Sequence, residues 1–220
     1  MKLSVVIPVY NEEGSVTELV ERVKAVPVDK EIITVDDHSR DSTLAVLNRI
    51  AGIRVISHPV NRGKGAAVRT GLAHATGDIV VIQDADLEYS PDDYPAMLRP
   101  FEDPKVDAVY GSRFRGGGNS FLFHSKMANY FLTFFTNALF GGRITDMETC
   151  YKLIRRQLFQ NLDLLANRFE IEPEITAKLL RRHCRIVEVP IQYNARRAGK
   201  KIGPRDGVKA CAALARWYVS

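Results

Sequence analysis

Apolar residues in this chain fall into short runs separated by polar clusters, and the runs follow two different periods. Leu3 to Ile7, Ile32 to Val35, Ile53 to Ile56, Ile79 to Ile82 and Val106 to Tyr110 are brief, continuous and rich in Val and Ile, the pattern of strands buried on both faces. Between them, Val16 to Val26, Ser42 to Ile50 and Gly65 to Ala75 carry apolar residues three and four apart. Leu19, Val23 and Val26 make one stripe; Ala67, Val68, Gly71, Leu72 and Ala75 make another. Strand alternating with helix predicts right-handed crossovers and a parallel, doubly wound sheet. Asp41 or Ser42 is placed to cap the second helix, and Pro91 with Asp92 and Asp93 opens another running towards Leu98.

Past Gly116, Gly117 and Gly118, which read as a flexible loop, the pattern changes. The stretch from Phe121 to Phe140 holds Phe121, Phe123, Tyr130, Phe131, Phe134, Phe135 and Phe140. Two readings stand for it: packing over the sheet, or lying against a membrane interface or an acyl chain. Met147 to Ile154 then reads as a strand, Glu172 to Arg182 as a helix and Ile186 to Val189 as a last strand. No repeat, low-complexity tract or linker divides the chain, so residues 1–220 are expected to form one domain. The longest uncharged run, Met127 to Gly142, contains Asn129, Thr133, Thr136 and Asn137 and is shorter than the ~18–20 apolar residues of a spanning helix. The apolar start of MKLSVVIPVYNEE is too short for the core of a signal peptide, so no transmembrane domain is expected.

Composition adds an ordinary globular balance, 45% apolar and 26% charged. Charge adds more. The 31 basic against 26 acidic residues give +5, and nine Lys or Arg against two acids lie between Arg181 and Lys209. That segment is either a solvated basic face or the seat of an anionic partner: phosphate, nucleic acid or an acidic membrane surface. Cys150, Cys184 and Cys211 are odd in number and lack CxxC spacing, which indicates neither a disulfide framework nor a zinc site and fits a reducing cytosolic setting.

Ligands of doubly wound sheets sit beyond the carboxyl ends of the strands. The segments there read PVYNEE, DDHSRDS, HPVNRGKG, QDADLE and GSRFRGGG. In VVIQDADLEY, Asp84 and Asp86 follow a buried strand one residue apart, so in extended geometry they project to the same side. Such a pair repels unless a cation neutralises it, and oxygen ligands suit Mg2+ or Mn2+. The small Ala85 between them lets a ligand lie close to the backbone. Lys64 sits in NRGKG, where glycines open a helix and present N–H groups to a phosphate. It is neither a P-loop nor GxGxxG, whose third glycine position is Val68 here. The Asp36-Asp37 pair either accepts from a base or ribose, or caps a helix through Asp37, Ser39 or Asp41.

Taken together, SVVIPVYNEEGSV, VDDHSRDST, NRGKGAAVRTGLAHATGD, QDADLEYSPDDYPAML, YGSRF, TDMETCYKLIRR, FEIEPEITAKL and VPIQYNARRAGKKIGPRDGVKA resemble, in order, the motifs of family 2 glycosyltransferases. The branch most resembled is the dolichol-phosphate mannosyltransferase type, which moves a sugar from a nucleotide diphosphate to a polyprenyl phosphate. The resemblance implies an α/β GT-A fold, a single Rossmann-like doubly wound mixed sheet flanked by helices. It implies that Pro8, Tyr10, Glu12 and Asp37 hold the nucleoside, that Lys64 lies near the base or phosphates, and that Ala85 lines the donor site. Asp84 and Asp86 look like the family's metal-associated DxD for Mg2+ or Mn2+, with Glu88 a further ligand. Arg113 would neutralise phosphate oxygens. Arg196, Lys200 and Lys201 would close over the donor or grip the acceptor phosphate. Relatives often place an additional arginine between Gly116 and Asn129; Phe121, His124 and Lys126 occupy that region here, and Lys126 is the substitute for phosphate binding.

The implied catalytic set is Asp86, Arg113 and Asp146, with inversion by a single displacement. A phosphate acceptor is already anionic and needs no strong base, whereas a hydroxyl acceptor would draw on Asp146, as base or as sugar ligand. GDP-mannose is the favoured donor and UDP-glucose the next. The alternatives are a family 2 transferase acting on a soluble or glycan hydroxyl, and a non-catalytic nucleotide-binding module. The acid cluster argues against the module, and aromatics not interleaved with basic residues argue against nucleic acid. The expected location is cytoplasmic, with peripheral contact to the cytoplasmic face of a membrane through the aromatic helix or the C-terminus around Trp217. A homodimer or a membrane-protein partner is left open.

Overall fold

The computed structural model describes residues 1–116, 123–195, Leu214 and Trp217. β1 (Leu3–Val9), α1 (Val16–Ala25), β2 (Lys30–Asp36), α2 (Thr43–Leu47), β3 (Arg54–Ser57), α3 (Lys64–His74) and β4 (Ile79–Ile82) follow in the alternation the apolar pattern predicts. Then come α4 (Tyr94–Leu98) between two 3-10 turns, β5 (Ala108–Ser112), α5 (Phe123–Phe140), β6 (Lys152–Arg155), α6 (Arg156–Gln160), α7 (Ile171–Arg181) and β7 (Ile186–Pro190).

These strands form one sheet in the order β3-β2-β1-β4-β6-β5-β7. β1 runs parallel to β2 and β4, β2 to β3, and β5 to β7, while β6 is antiparallel to both of its neighbours, β4 and β5. The sheet is therefore mixed and doubly wound. Reversing β6 has a consequence for the site. Its amino end lies beside the carboxyl ends of β4 and β5, so the loop entering β6 reaches the edge where the loops leaving those strands emerge.

β1 and β4 are buried along their whole length, as their unbroken apolar runs require. β3 departs from expectation: Arg54 and Ser57 are exposed, because it is the edge strand. α3 lies close on β1, where a Cβ on Gly71 would stand 2.3 Å from Val6 Cγ1. The strand expected from Met147 to Ile154 is confined to Lys152–Arg155. Before it, side chains satisfy the backbone: Cys150 N donates to Tyr89 Oη at 3.0 Å and Tyr151 N to Thr149 Oγ1 at 3.3 Å. α2 is shorter than its apolar pattern suggests, and Asp41, not Ser42, supplies the cap, accepting from Thr43 N at 3.0 Å. The helix expected from Pro91 begins as a 3-10 turn capped by Ser90.

α5 resolves into two faces. Leu132, Thr133 and Thr136 are buried, and the helix packs on α7. The opposite side presents Met127, Tyr130, Phe131 and Phe134 to solvent, Phe134 at 70% exposure. Trp217 does not stand free for a bilayer. The Lys178 ammonium lies 4.4 Å from its ring centroid, and Arg181 donates to its carbonyl at 2.7 Å, so it is packed on α7. Among the described residues no helix is long and apolar enough to cross a membrane, and Cys150 and Cys184 are free thiols. Gly117, Gly118, Phe121, Arg196, Lys200, Lys201 and Cys211 lie outside the described residues.

Candidate active site

The loops leaving β1, β2 and β4 are stitched together by side chains. Asn11 N donates to Ser39 Oγ at 2.9 Å, Arg40 N to Asn11 Oδ1 at 2.8 Å, and Ser42 N to Glu13 Oε2 at 2.8 Å. Ser15 Oγ reaches both Glu12 Oε2 at 2.7 Å and Ala85 O at 2.8 Å. Each of these three loops holds one residue in the left-handed region: Asn11 at φ 51, His38 at φ 62 and Leu87 at φ 63. Asn and His tolerate that conformation better than Leu, which has no local hydrogen bond to offer in exchange. Strain of this kind gathers where a loop must present particular side chains.

The acidic loop after β4 is not extended. The strand ends at Ile82, and Ala85 and Asp86 form a turn, so alternation does not set where Asp84 and Asp86 point. The turn is strapped from the C-terminal side: Asn194 N donates to Glu88 O at 2.9 Å, and Tyr193 Oη to Glu88 Oε2 at 2.6 Å. Glu88 N in turn donates to Asp86 Oδ1 at 3.2 Å.

Lys64, the first residue of α3, places its ammonium 2.7 Å from Asp84 Oδ1 and 3.2 Å from Glu172 Oε1. Glu172 Oε2 meets Lys152 Nζ at 2.5 Å, and both Glu172 and Lys152 are buried. Two lysines and two carboxylates thus alternate beneath the acidic loop. Burial alone would depress the Lys64 ammonium, but Asp84 and Glu172 hold it well above its ordinary range. It is a permanent cation here. Cys150, beside it at 3.7 Å, is kept a neutral thiol by burial.

At the end of β5, Arg113 grips Asp146 with two guanidinium bonds, Nε to Oδ2 at 2.8 Å and Nη2 to Oδ1 at 2.7 Å. Its backbone N–H adds a third at 2.9 Å. Asp146 is completely buried and Arg113 is 6% exposed, with the guanidinium 5.1 Å from the Tyr193 ring centroid. Burial works against the charged guanidinium, yet Asp146 raises it well above its usual value. Asp146 is itself placed by Glu188, whose Oε1 accepts from Thr145 N at 2.7 Å and Asp146 N at 3.3 Å.

A family profile described as Glycosyl transferase family 2 matches residues 4–163. The chain belongs to glycosyl transferase family 2. Among curated proteins it is 29% identical over 208 residues to the dodecaprenyl-phosphate galacturonate synthase of Rhizobium johnstonii, covering 90% of this chain and 61% of that protein. It is 29% identical over 215 residues to the dolichol-phosphate mannosyltransferase of Pyrococcus furiosus, covering 91% and 58%. To the undecaprenyl-phosphate 4-deoxy-4-formamido-L-arabinose transferase of Proteus mirabilis it is 32% identical over 209 residues, covering 90% and 61%. The chain thus spans about three-fifths of the length of these relatives. Glucosyl-3-phosphoglycerate synthase from Mycobacterium tuberculosis, solved with Mn2+, uridine diphosphate and phosphoglyceric acid, superposes with a TM-score of 0.77 at 23% identity, covering 99% of this chain and 78% of that one. The fold is GT-A.

Within this family 2 fold, the expected site residues separate into groups. Pro8 is buried in β1 and Tyr10 half-buried just past it, with Glu12 buried behind. Asp37 is taken up by its surroundings: Oδ1 faces His58 Nδ1 at 2.8 Å and accepts from Arg62 N at 2.8 Å, and Oδ2 accepts from Gly63 N at 2.7 Å. Its neighbour Asp36 leaves a buried oxygen, Oδ1, without a hydrogen bond. The glycines around Lys64 also have a structural reason. A Cβ on Gly63 would meet Asn167 O at 2.4 Å and one on Gly65 would meet Ala166 O at 2.3 Å, while Ala66 N donates to Asn167 O at 3.1 Å. Close packing on the segment before α7, rather than phosphate cradling, accounts for them. Lys126 is exposed on α5, its ammonium 5.8 Å from the Tyr130 ring centroid.

Asp84, Asp86 and Glu88 are not gathered into a three-ligand cage, and no group of three His, Cys, Asp or Glu among the described residues is placed to hold a metal ion. The donor set nevertheless fits a hard cation taken through one or two carboxylates and completed by phosphate oxygens, the usual mode for Mg2+. Asp84 and Asp86 are the residues that would hold it, with Lys64 standing against Asp84 until then. Sequence reasoning missed Lys152, Glu172 and Glu148. A lysine inside CYKLI and a glutamate opening an amphipathic helix were the available signals.

Proposed function

We propose that this family 2 chain transfers a hexose from a nucleoside diphosphate donor to a polyprenyl phosphate, with inversion. GDP-mannose is the favoured donor and UDP-glucose the next. The observation that carries the reading is a pair of fixed cations on the edge of the sheet where the strands end: Lys64 held on Asp84 and Arg113 held on Asp146. Such charges stabilise the negative charge that grows on a diphosphate as it leaves the anomeric carbon. Holding each on a carboxylate keeps it in place before the donor arrives, so little reorganisation is needed. Tyr10, Glu12 and the unpaired Oδ1 of Asp36 serve the nucleoside end. Bound through Asp84 and Asp86, Mg2+ or Mn2+ would supply further neutralisation of the diphosphate.

Asp146 is a holder of Arg113 rather than a base, because both its oxygens are spent on the guanidinium. A phosphate acceptor suits a site without a free strong base, since it is anionic at neutral pH. The names of the three relatives, each a transferase of a polyprenyl or dolichyl phosphate, support the same acceptor class. The exposed aromatic face of α5 is the surface that would meet the bilayer carrying it, on the cytoplasmic side, with Lys126 near the headgroups.

The test is to incubate the purified protein with Mn2+ and radiolabelled GDP-mannose or UDP-glucose, with and without a short polyprenyl phosphate, and to extract with organic solvent. Label entering the organic phase only when the lipid is present supports the proposal. Donor turnover with all label left in water points to a soluble or glycan hydroxyl acceptor instead. Omitting the divalent cation is expected to suppress transfer.

A further inference from the structure

Most carboxylates at this edge of the sheet have committed partners. Asp37 serves His58 and the turn at Arg62 and Gly63, Asp146 serves Arg113, and Glu172 serves Lys152 and Lys64. Glu188 accepts from the backbone of Thr145 and Asp146. Glu148 differs. It lies in the loop entering β6, half-buried, and its Oε1 is sealed from solvent with no hydrogen bond among the described residues. A buried carboxylate oxygen without a donor is unfavourable for the fold, and native structures retain few of them.

The groups acting on Glu148 locate it. Lys152 comes from β6, Glu172 from α7, Arg113 from the end of β5 and Asp146 from its own loop. Glu148 is therefore within electrostatic reach of both ion pairs, Lys152 with Glu172 and Arg113 with Asp146. Burial pushes its carboxyl up to about 7, Lys152 and Arg113 pulling it down while Glu172 and Asp146 push it up. Near neutral pH it can accept or donate a hydrogen bond.

The chemistry of a sugar nucleotide narrows what such a group could meet. The diphosphate repels a carboxylate and is matched by Lys64 and Arg113. The nucleoside belongs to the loops after β1 and β2. What remains is the polyhydroxyl ring, whose hydroxyls pair well with a carboxyl that is only half-buried at this edge. We propose that Glu148 reads the transferred sugar, its carboxyl hydrogen-bonding a ring hydroxyl of the hexose and so setting which hexose is accepted. This rests on the transferase reading above and assigns its sugar subsite.

Calorimetric titration in Mn2+ tests it, using GDP, GDP-mannose, UDP and UDP-glucose against the unmodified protein, Glu148→Ala and Glu148→Gln. The expected result is that the preferred nucleotide sugar loses about tenfold or more in affinity on Glu148→Ala, while the matching diphosphate binds within about twofold. Glu148→Gln, which keeps shape and hydrogen-bonding capacity, should lie between. In the unmodified protein, one monodeoxy analogue of the sugar should bind about tenfold more weakly, and Glu148→Ala should not distinguish it from the parent. This second arm stands even if the alanine variant folds poorly, because Glu148→Leu, which fills a similar volume without a hydrogen-bonding group, can replace it. Unchanged nucleotide-sugar affinity in both variants, with the diphosphate still bound, overturns the inference alone. Failure of the unmodified protein to bind any of the four nucleotides overturns the transferase reading and this inference with it.

Discussion

Lys64 Nζ stands 2.7 Å from Asp84 Oδ1, so an internal ammonium already occupies the neighbourhood of the first DxD carboxylate. The same ammonium lies 3.2 Å from Glu172 Oε1. One positive charge thus separates two negative ones, and whatever cation arrives with a donor must share Asp84 with it.

Lys64→Met should therefore leave Asp84 without its counter-ion and Glu172 with Lys152 alone. The expected loss is about 2–3 kcal/mol of stability, below the full penalty for breaking a deeply buried pair because Asp84 is 24% exposed. Millimolar Mn2+ should restore part of the lost melting temperature in the variant and raise that of the unmodified protein much less. Differential scanning fluorimetry with and without the metal reads this directly. Equal metal responses in the two proteins would show that Lys64 does not neutralise a cation site.

Arg113 and Asp146 should behave as one unit. Arg113→Met and Asp146→Asn are each expected to cost about 2–4 kcal/mol, since each strands a buried partner. The double variant should cost far less than the sum, with a coupling of roughly 2–3 kcal/mol. Arg113→Lys should not rescue transfer, because an ammonium cannot reproduce the two parallel bonds to Asp146. Urea denaturation gives the coupling, and the solvent-partition assay gives the activity.

Glu31 ties β2 to its surroundings by accepting from Ser4 Oγ at 2.5 Å, Thr76 N at 2.6 Å and Gly77 N at 3.0 Å. Burial would raise its carboxyl, but these bonds outweigh it and lower the value to about 2. A folded value below the unfolded one means stability that is present above about 4.5 and lost as pH falls through about 2. Discounted for solvent screening at this partly exposed site, the contribution is on the order of 1–2 kcal/mol. Glu31→Gln should lower stability at pH 7, and the gap to the unmodified protein should shrink as pH falls below 4.5. A gap that stays constant from about pH 7 down to about pH 2.5 would contradict the linkage.

Gly71→Ala should be overpacked against β1, since its Cβ would stand 2.3 Å from Val6 Cγ1. A loss of about 1–3 kcal/mol is expected. Adding Val6→Ala removes the clashing methyls, so the double variant should be more stable than the two separate losses predict. Simple addition of the two losses in chemical denaturation would refute this packing account.

On α5, Phe131→Ser with Phe134→Ser changes two side chains that are 59% and 70% exposed, Phe131 stacking on Phe135 of the same helix. Melting temperature should be unaffected, while sedimentation with liposomes of mixed zwitterionic and anionic lipid should fall by about tenfold. Undiminished sedimentation would remove this face from the proposed membrane contact.

Much of the architecture is legible along the chain because it is written in local period. Ile79 to Ile82 reads as a buried strand and is one, and α1, α3 and α7 lie within a residue or so of their apolar stripes. Met147 to Tyr151 misled, because apolar and β-forming residues stand there in a loop whose backbone is satisfied by Tyr89 and Thr149. Asp37 carried two readings along the chain, ligand or cap, and the structure adds a use that neither foresaw: it accepts from Arg62 N and Gly63 N and faces His58 in the turn before α3.

Strand and helix order, the polar loops at one edge and membership of family 2 follow from residue order alone, since periodicity and ordered motifs are properties of the chain itself. Which charges meet is a different matter. Lys152 with Glu172 is separated by 20 residues and Arg113 with Asp146 by 33, Lys64 with Asp84 is as distant along the chain, and no local pattern ties any of these pairs together. Their pairing depends on β6 running against its neighbours, which carries Asp146, Glu148 and Cys150 to the edge where β4 and β5 end. It depends equally on the turn at Ala85 and Asp86 that breaks the strand's alternation. Chain reversal and turn angle act through space, so the same charges become partners, or in Glu148 a carboxylate with an oxygen to spare, only once the sheet is assembled.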